Sequence, residues 1–140
     1  MVTVENLMTK KALTIDAQKT VFEAAQLMSQ KEVGDLIVVD NEMPVGIVTE
    51  RDFVRRVIAK GRAVDMKVSD VMSKPLITIG PDASLKEAAR KMGKHKIRRL
   101  PVMKEHKLVG IIVVGDFARH LGKKTFTEGL LEAIWRHPTS

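Results

Sequence analysis

Two hydrophobic periods alternate along the chain. Val21, Ala24, Ala25 and Met28 fall at i, i+3, i+4 and i+7, the apolar stripe of an amphipathic helix, and Leu85, Ala88, Ala89 and Met92 repeat that spacing. Thr20 with Glu23, and Ser84 with Glu87, stand three apart in the capping-box order and mark where both helices begin. Downstream of the first helix, the apolar, β-branched runs Leu36 to Val39 and Val45 to Val48 are separated by Asp40, Asn41 and Glu42, which predicts a tight antiparallel hairpin. A short strand at Leu13 to Ile15 precedes the first helix. A closing helix begins near Glu50 and stops before Gly61.

The order strand, helix, strand, strand, helix occurs twice. A shift of 64 positions, from Met8 to Met72, aligns the two copies without a gap. It carries Thr14 onto Thr78, Glu23 onto Glu87, Met28 onto Met92, Leu36 onto Leu100, Val38 onto Val102, Gly46 onto Gly110 and Asp52 onto Asp116. The chain is a tandem duplication, with copies at residues 1–62 and 63–122 and a tail at 123–140. The stripe residues of the helices are core rather than a cofactor box, because alanines let helix and sheet approach closely.

Composition narrows the function classes. The 140 residues suffice for one domain or two packed halves. No apolar run is long enough to cross a bilayer, and residues 1–13 have no signal-peptide apolar segment, so a cytoplasmic protein with no membrane partner is expected. There is no cysteine, which excludes disulfides and thiolate metal sites. The net charge of +7 could favour an anionic ligand or nucleic acid, though solvated faces on several helices are the better account of any single cluster of lysines and arginines.

Candidate chemistry sits at the last strand-to-helix junction of each copy. GIVTERD, Gly46 to Asp52, returns as GIIVVGD, Gly110 to Asp116, with glycine and aspartate kept and Thr49 replaced by Val113. Thr-x-x-Asp is a helix cap in its own right. A carboxylate there can also accept both cis hydroxyls of a ribose, and a threonine hydroxyl can bond a ribose or phosphate oxygen. Val113 cannot cap, yet Asp116 persists, which fits an aspartate with its own task; Asp116 could itself be the cap.

Two copies of β-α-β-β-α with Gly-x-x-Thr-x-x-Asp at the last junction, together with LMTKKALTI, DVMSKPLITI and RRLPV, resemble a pair of CBS domains, the Bateman module. The resemblance covers about residues 4 to 120. It implies an α/β (α+β) fold of two β-α-β-β-α motifs about a pseudo-twofold axis, with two clefts for adenosine compounds such as AMP, ADP, ATP or S-adenosylmethionine. By similarity, one cleft is served by Gly46, Thr49, Asp52, Leu76, Thr78 and Ile97, the other by Gly110, Asp116, Ala12, Thr14, Val33, Arg98 and Arg99. Arg98 and Arg99 would meet a phosphate. Gly34 and Asp35 replace them in the first copy, and an acidic neighbour there disfavours phosphate.

The resemblance implies a non-catalytic regulatory sensor with the nucleotide as regulatory ligand and no cofactor, acting as a homodimer with a possible regulated protein target. His95, His106, His120 and His137 have neither metal-ligand spacing nor a nucleophile in register, and no catalytic or metal residue is expected. Gly122-Lys123-Lys124-Thr125 mimics the end of a phosphate loop but has Phe117 where the first glycine belongs. Phe126, Leu130, Leu131, Ile134 and Trp135 predict a short C-terminal helix that covers the module or a partner subunit. Two rival readings remain, a nucleic-acid-binding protein using the basic surface and a ligand-free dimerisation scaffold.

Overall fold

The computed structural model describes residues 2–121. The expected C-terminal helix, the Gly122–Thr125 segment and His137 lie outside the described residues. The elements are α1 (Val4–Leu7), β1 (Thr14–Asp16), α2 (Val21–Lys31), β2 (Asp35–Asp40), β3 (Met43–Thr49), α3 (Glu50–Phe53), α4 (Leu85–His95), β4 (Arg99–Lys104), β5 (Lys107–Val113) and α5 (Val114–Leu121). α3 runs on as a π-helical turn, Val54–Ile58, and a 3-10 turn covers Val68–Asp70.

Residues Leu13–Leu76 pack as one unit. Its sheet has the order β1-β2-β3, with β1 parallel to β2 and β2 antiparallel to β3. The β2–β3 hairpin turns on Asn41 and Glu42, both at positive φ, which is the geometry of a two-residue turn matched to strand twist. α2 starts where expected: the Glu23 N–H donates to Thr20 Oγ1 at 3.1 Å, and the Thr20 N–H donates to Glu23 Oε1 at 3.2 Å. That backbone bond, with help from the Thr20 hydroxyl and Lys19, holds the Glu23 carboxyl below its ordinary range. The core joins Val21, Ala24 and Met28 of α2 to Leu36, Val38 and Val48 of the sheet and to Phe53 and Val57. Each large side chain buried here contributes about 1.5–3 kcal/mol.

The second unit joins the residues up to Ala12 with those from Ile77 onward. β4 and β5 form an antiparallel hairpin turning on Glu105 and His106 at positive φ, and the Glu87 N–H donates to Ser84 Oγ at 3.1 Å to start α4. Phe117, Met92, Leu100 and Ile112 are fully enclosed, with Val4 among them. The strand expected before α4 is reduced to a single parallel bridge, Ile79 to Val102. The cause is Pro101. At the aligned position the Ile37 N–H donates to Leu13 O at 3.1 Å, and a proline has no N–H to give.

Each unit contains the segment that precedes the other copy in sequence. Residues 2–12, the leader of the first copy, pack with the second: the Val4 N–H donates to Ala83 O at 2.9 Å, and Thr9 and Ile111 exchange N–H bonds at 2.9 Å each. Residues 64–76, the leader of the second copy, pack with the first: the Val68 N–H donates to Lys19 O at 2.9 Å, and Ile47 and Ser73 exchange bonds at 3.2 and 2.9 Å. The bridges Thr3 to Ser84 and Lys67 to Thr20 correspond under the repeat shift, as do Thr9 to Ile111 and Ser73 to Ile47.

Candidate functional site

The β3–α3 junction is held by its own side chains. Thr49, at the end of β3, has extended backbone, and its hydroxyl accepts the Asp52 N–H at 3.1 Å. In return, Asp52 Oδ2 accepts the Thr49 N–H at 3.0 Å. Both residues are buried, Thr49 at 5% and Asp52 at 9% exposure. The strand side of the junction is fixed by the Glu50 N–H donating to Gly34 O at 3.0 Å.

The β5–α5 junction keeps half of this arrangement. Asp116 Oδ2 accepts the Val113 N–H at 2.8 Å, and the Val114 N–H donates to Arg98 O at 3.0 Å. Asp116 is 2% exposed, deeper than its counterpart. Thus the aspartate contributes the same backbone bond in both copies, and only the first adds a hydroxyl. In each case a single carboxylate oxygen meets the strand end.

The second oxygen faces an arginine, which sequence reasoning missed. Asp52 Oδ1 lies 3.8 Å from Arg56 Nε, and Asp116 Oδ1 accepts from Arg119 Nη2. The partner differs because the helices differ. Arg119 is three residues on within regular α5, whereas Arg56 is four residues on and sits in the wider π-helical turn. Arg56 also donates through Nη1 to Val71 O at 2.9 Å and Met72 O at 3.3 Å. A signal for either arginine was present in the i, i+3 and i, i+4 spacing to the aspartates.

Gly46 and Gly110 have a packing requirement inside the chain. A Cβ at Gly46 would stand 2.6 Å from Met72 Sδ and 2.9 Å from Ser73 O; at Gly110 it would stand 2.7 Å from Met8 Sδ and from Thr9 O. Only a residue without a side chain lets the exchanged leaders lie against β3 and β5.

The other residues singled out from the sequence divide between the units. Gly46, Thr49, Asp52 and Leu76 belong to Leu13–Leu76, and Thr78 and Ile97 to the other unit. Gly110, Asp116, Arg98, Arg99 and Ala12 share one unit, and Thr14 and Val33 lie in the other. Thr14 is exposed and lines an open groove of about 380 Å³ with Lys19, Glu23 and Gln26. Leu76, Thr78, Ile97, Ala12, Val33, Arg98 and Arg99 are half-buried. Among the described residues, no three His, Asp or Glu side chains are grouped to hold a metal, and no helix is long and apolar enough to cross a membrane.

Comparison with known proteins follows the repeat. The model of the CBS domain matches residues 4–59 and again 68–123. The CBS domain-containing protein YhcV of Bacillus subtilis is 41% identical over 118 residues, covering 84% of each chain. An uncharacterized conserved protein from Pyrococcus horikoshii superposes with a TM-score of 0.78 at 34% identity, covering 87% of this chain and 93% of its own. The hexameric CBS-CP12 protein from bloom-forming cyanobacteria does so with a TM-score of 0.76 at 34% identity, covering 94% and 82%.

Proposed function

Since the chain belongs to the CBS domain family, in which tandem domains are generally regulatory, we propose that it is a non-catalytic sensor of adenosine-containing ligands, of the AMP, ADP, ATP or S-adenosylmethionine class. The observation that carries this reading is the pair of buried aspartates. Each has one carboxylate oxygen tied to the N–H three residues back and the other turned to an arginine, and it is at this arginine-facing oxygen that ribose hydroxyls would bind, beside or in place of the guanidinium. The carboxylate stays buried, at 2% exposure, in the copy that has lost its threonine. The phosphate preference expected for the second copy rests on Arg98 and Arg99, with Arg119 a further cation beside Asp116. Self-association and a cytoplasmic setting belong to the same reading. The exposed apolar side chains Phe22, Val54 and Ile58 support the first, as does the hexameric assembly of the cyanobacterial relative.

A nucleic-acid reading has one observation in its favour. Lys86, Arg90 and Lys94 lie exposed at i, i+4 and i+8 along α4, where α2 carries Phe22, Gln26 and Gln30. Calorimetric titration with AMP, ATP, S-adenosylmethionine and a short duplex separates the readings. Saturable nucleotide binding that Asp52→Ala or Asp116→Ala weakens supports the sensor. Duplex binding that falls steeply with salt and is lost in a Lys86→Ala/Arg90→Ala/Lys94→Ala variant supports the alternative. Absence of heat with all four titrants leaves the scaffold.

A further inference from the structure

We infer that Arg56 couples the Asp52 carboxylate to the seating of the second copy's leader, so that a ligand taken by Asp52 is felt at Val71–Ser73. The coupling rests on the reading of Asp52 as a ligand acceptor; the hold of Arg56 on the leader does not. The guanidinium spans three groups at once. Its Nε is 3.8 Å from Asp52 Oδ1, and its Nη1 donates to Val71 O at 2.9 Å and Met72 O at 3.3 Å. Those carbonyls belong to the stretch that Gly46 admits, with Met72 against the glycine and Ser73 exchanging both backbone bonds with Ile47. Val71 is buried and cannot leave its place without opening the core cluster it belongs to. Asp52, Arg56, the stretch Val71–Ser73 and Ile47 therefore form one continuous run within the unit Leu13–Leu76.

The device is particular to the first copy. The position aligned with Arg56 is His120, whose imidazole has no fork of donors to set on successive carbonyls, and the Asp116 carboxylate is taken by Arg119 instead. Two features of the first copy serve it: the π-helical turn that carries Arg56, and the exposure of nearly half its side chain, 47%, beside a carboxylate that is only 12% exposed. Ribose hydroxyls donating to Asp52 Oδ1 draw charge from the carboxylate that faces Arg56. The attraction that orients the guanidinium on the two carbonyls weakens, and the leader loosens. By linkage, loosening the leader by other means leaves less to be spent on binding.

Hydrogen exchange of the full chain tests this, with AMP as the probe. In Arg56→Ala without nucleotide, the Ile47 and Ser73 amides should exchange about tenfold faster than in wild type, the scale of lost charge-assisted bonds. In wild type, saturating AMP should speed the same two amides, and in Arg56→Ala it should add nothing while calorimetry shows AMP still bound. Arg56→Lys, which keeps the charge but not the fork, should fall between and guards against a misfolded alanine variant. Unchanged exchange in both variants without nucleotide overturns the hold on the leader. An AMP effect of equal size in wild type and Arg56→Ala overturns the coupling. If AMP fails to bind wild type, the coupling falls together with the ligand reading, an outcome told apart by the apo exchange data, which still report on Arg56 alone.

Discussion

Val113 donates its backbone N–H to Asp116 Oδ2 at 2.8 Å, as Thr49 does to Asp52 at 3.0 Å, but the valine side chain returns nothing. The two junctions are one motif with and without its reciprocal bond, and each is a control for the other.

Thr49→Val turns the first junction into the second. Losing the bond from the Asp52 N–H to Thr49 Oγ1 should cost about 1 kcal/mol, and Val113→Thr should gain a similar amount. Thermal melts of both variants check this. A Val113→Thr protein no more stable than wild type would show that the half-buried valine was contributing packing of equal worth.

Asp52→Asn and Asp52→Ala separate cap from ligand acceptor. Asparagine can still accept the Thr49 N–H through its carbonyl oxygen, so its melting point should fall less than that of alanine. Both should lose adenosine-ligand affinity by about tenfold to a hundredfold, the range for bonds to a charged group. An asparagine variant that binds as wild type does would remove the charge from the account of binding.

Gly46→Ala should destabilise the unit that holds it by about 1–3 kcal/mol, since the new methyl meets the Met72 sulfur and the Ser73 carbonyl at 2.6 and 2.9 Å. Met72→Ala in the same chain should relieve only the contact with sulfur. Denaturant unfolding of the single and double variants should therefore show partial, not full, rescue.

Val4→Ala should cost about 2 kcal/mol through the cavity it opens. The site of the effect is the sharper test. Val4 packs with Ile79, Met92, Leu100 and Phe117, so faster hydrogen exchange should appear in α4 and α5 and not in α2, which is nearer in sequence but belongs to the other unit.

The Glu23 carboxyl, held low chiefly by the Thr20 N–H, makes a contribution to stability that depends on pH. Its folded pKa lies below its unfolded one, so the contribution is fully present above the ordinary carboxylate range and is lost as pH falls through the folded value. Glu23→Gln should flatten that part of the stability curve. NMR titration of Glu23 should give a midpoint below the 4.5 of a free glutamate.

Most of the fold was legible because its signals are local. The α2 and α4 stripes, Thr20 and Ser84, and the positive-φ pairs Asn41–Glu42 and Glu105–His106 all act within a few residues of themselves. What stayed hidden is long-range. Nothing in a repeat comparison says that Met8 lies on Gly110 and Met72 on Gly46, because each methionine is equally near a glycine in its own copy. The weakened strand at Ile79 was visible only once Pro101 was known to stand opposite it. At the junctions the aspartates were legible and their arginines were not. Arg56 is one of two adjacent arginines, and the choice between them is made by a π-helical turn with no sequence signature.

The exchange of leaders bears on how such a chain came to be. A half-length ancestor with one leader and one β-α-β-β-α motif would hold a methionine and a glycine made for each other's company, and in this geometry the methionine lies on the other copy's glycine. Such a peptide could complete its core only by lending its first dozen residues to a sibling and borrowing the sibling's in return. In the tandem chain the two partners are one covalent molecule, and each half is completed by the other's leader. A change in either leader is therefore felt in the core of the opposite half.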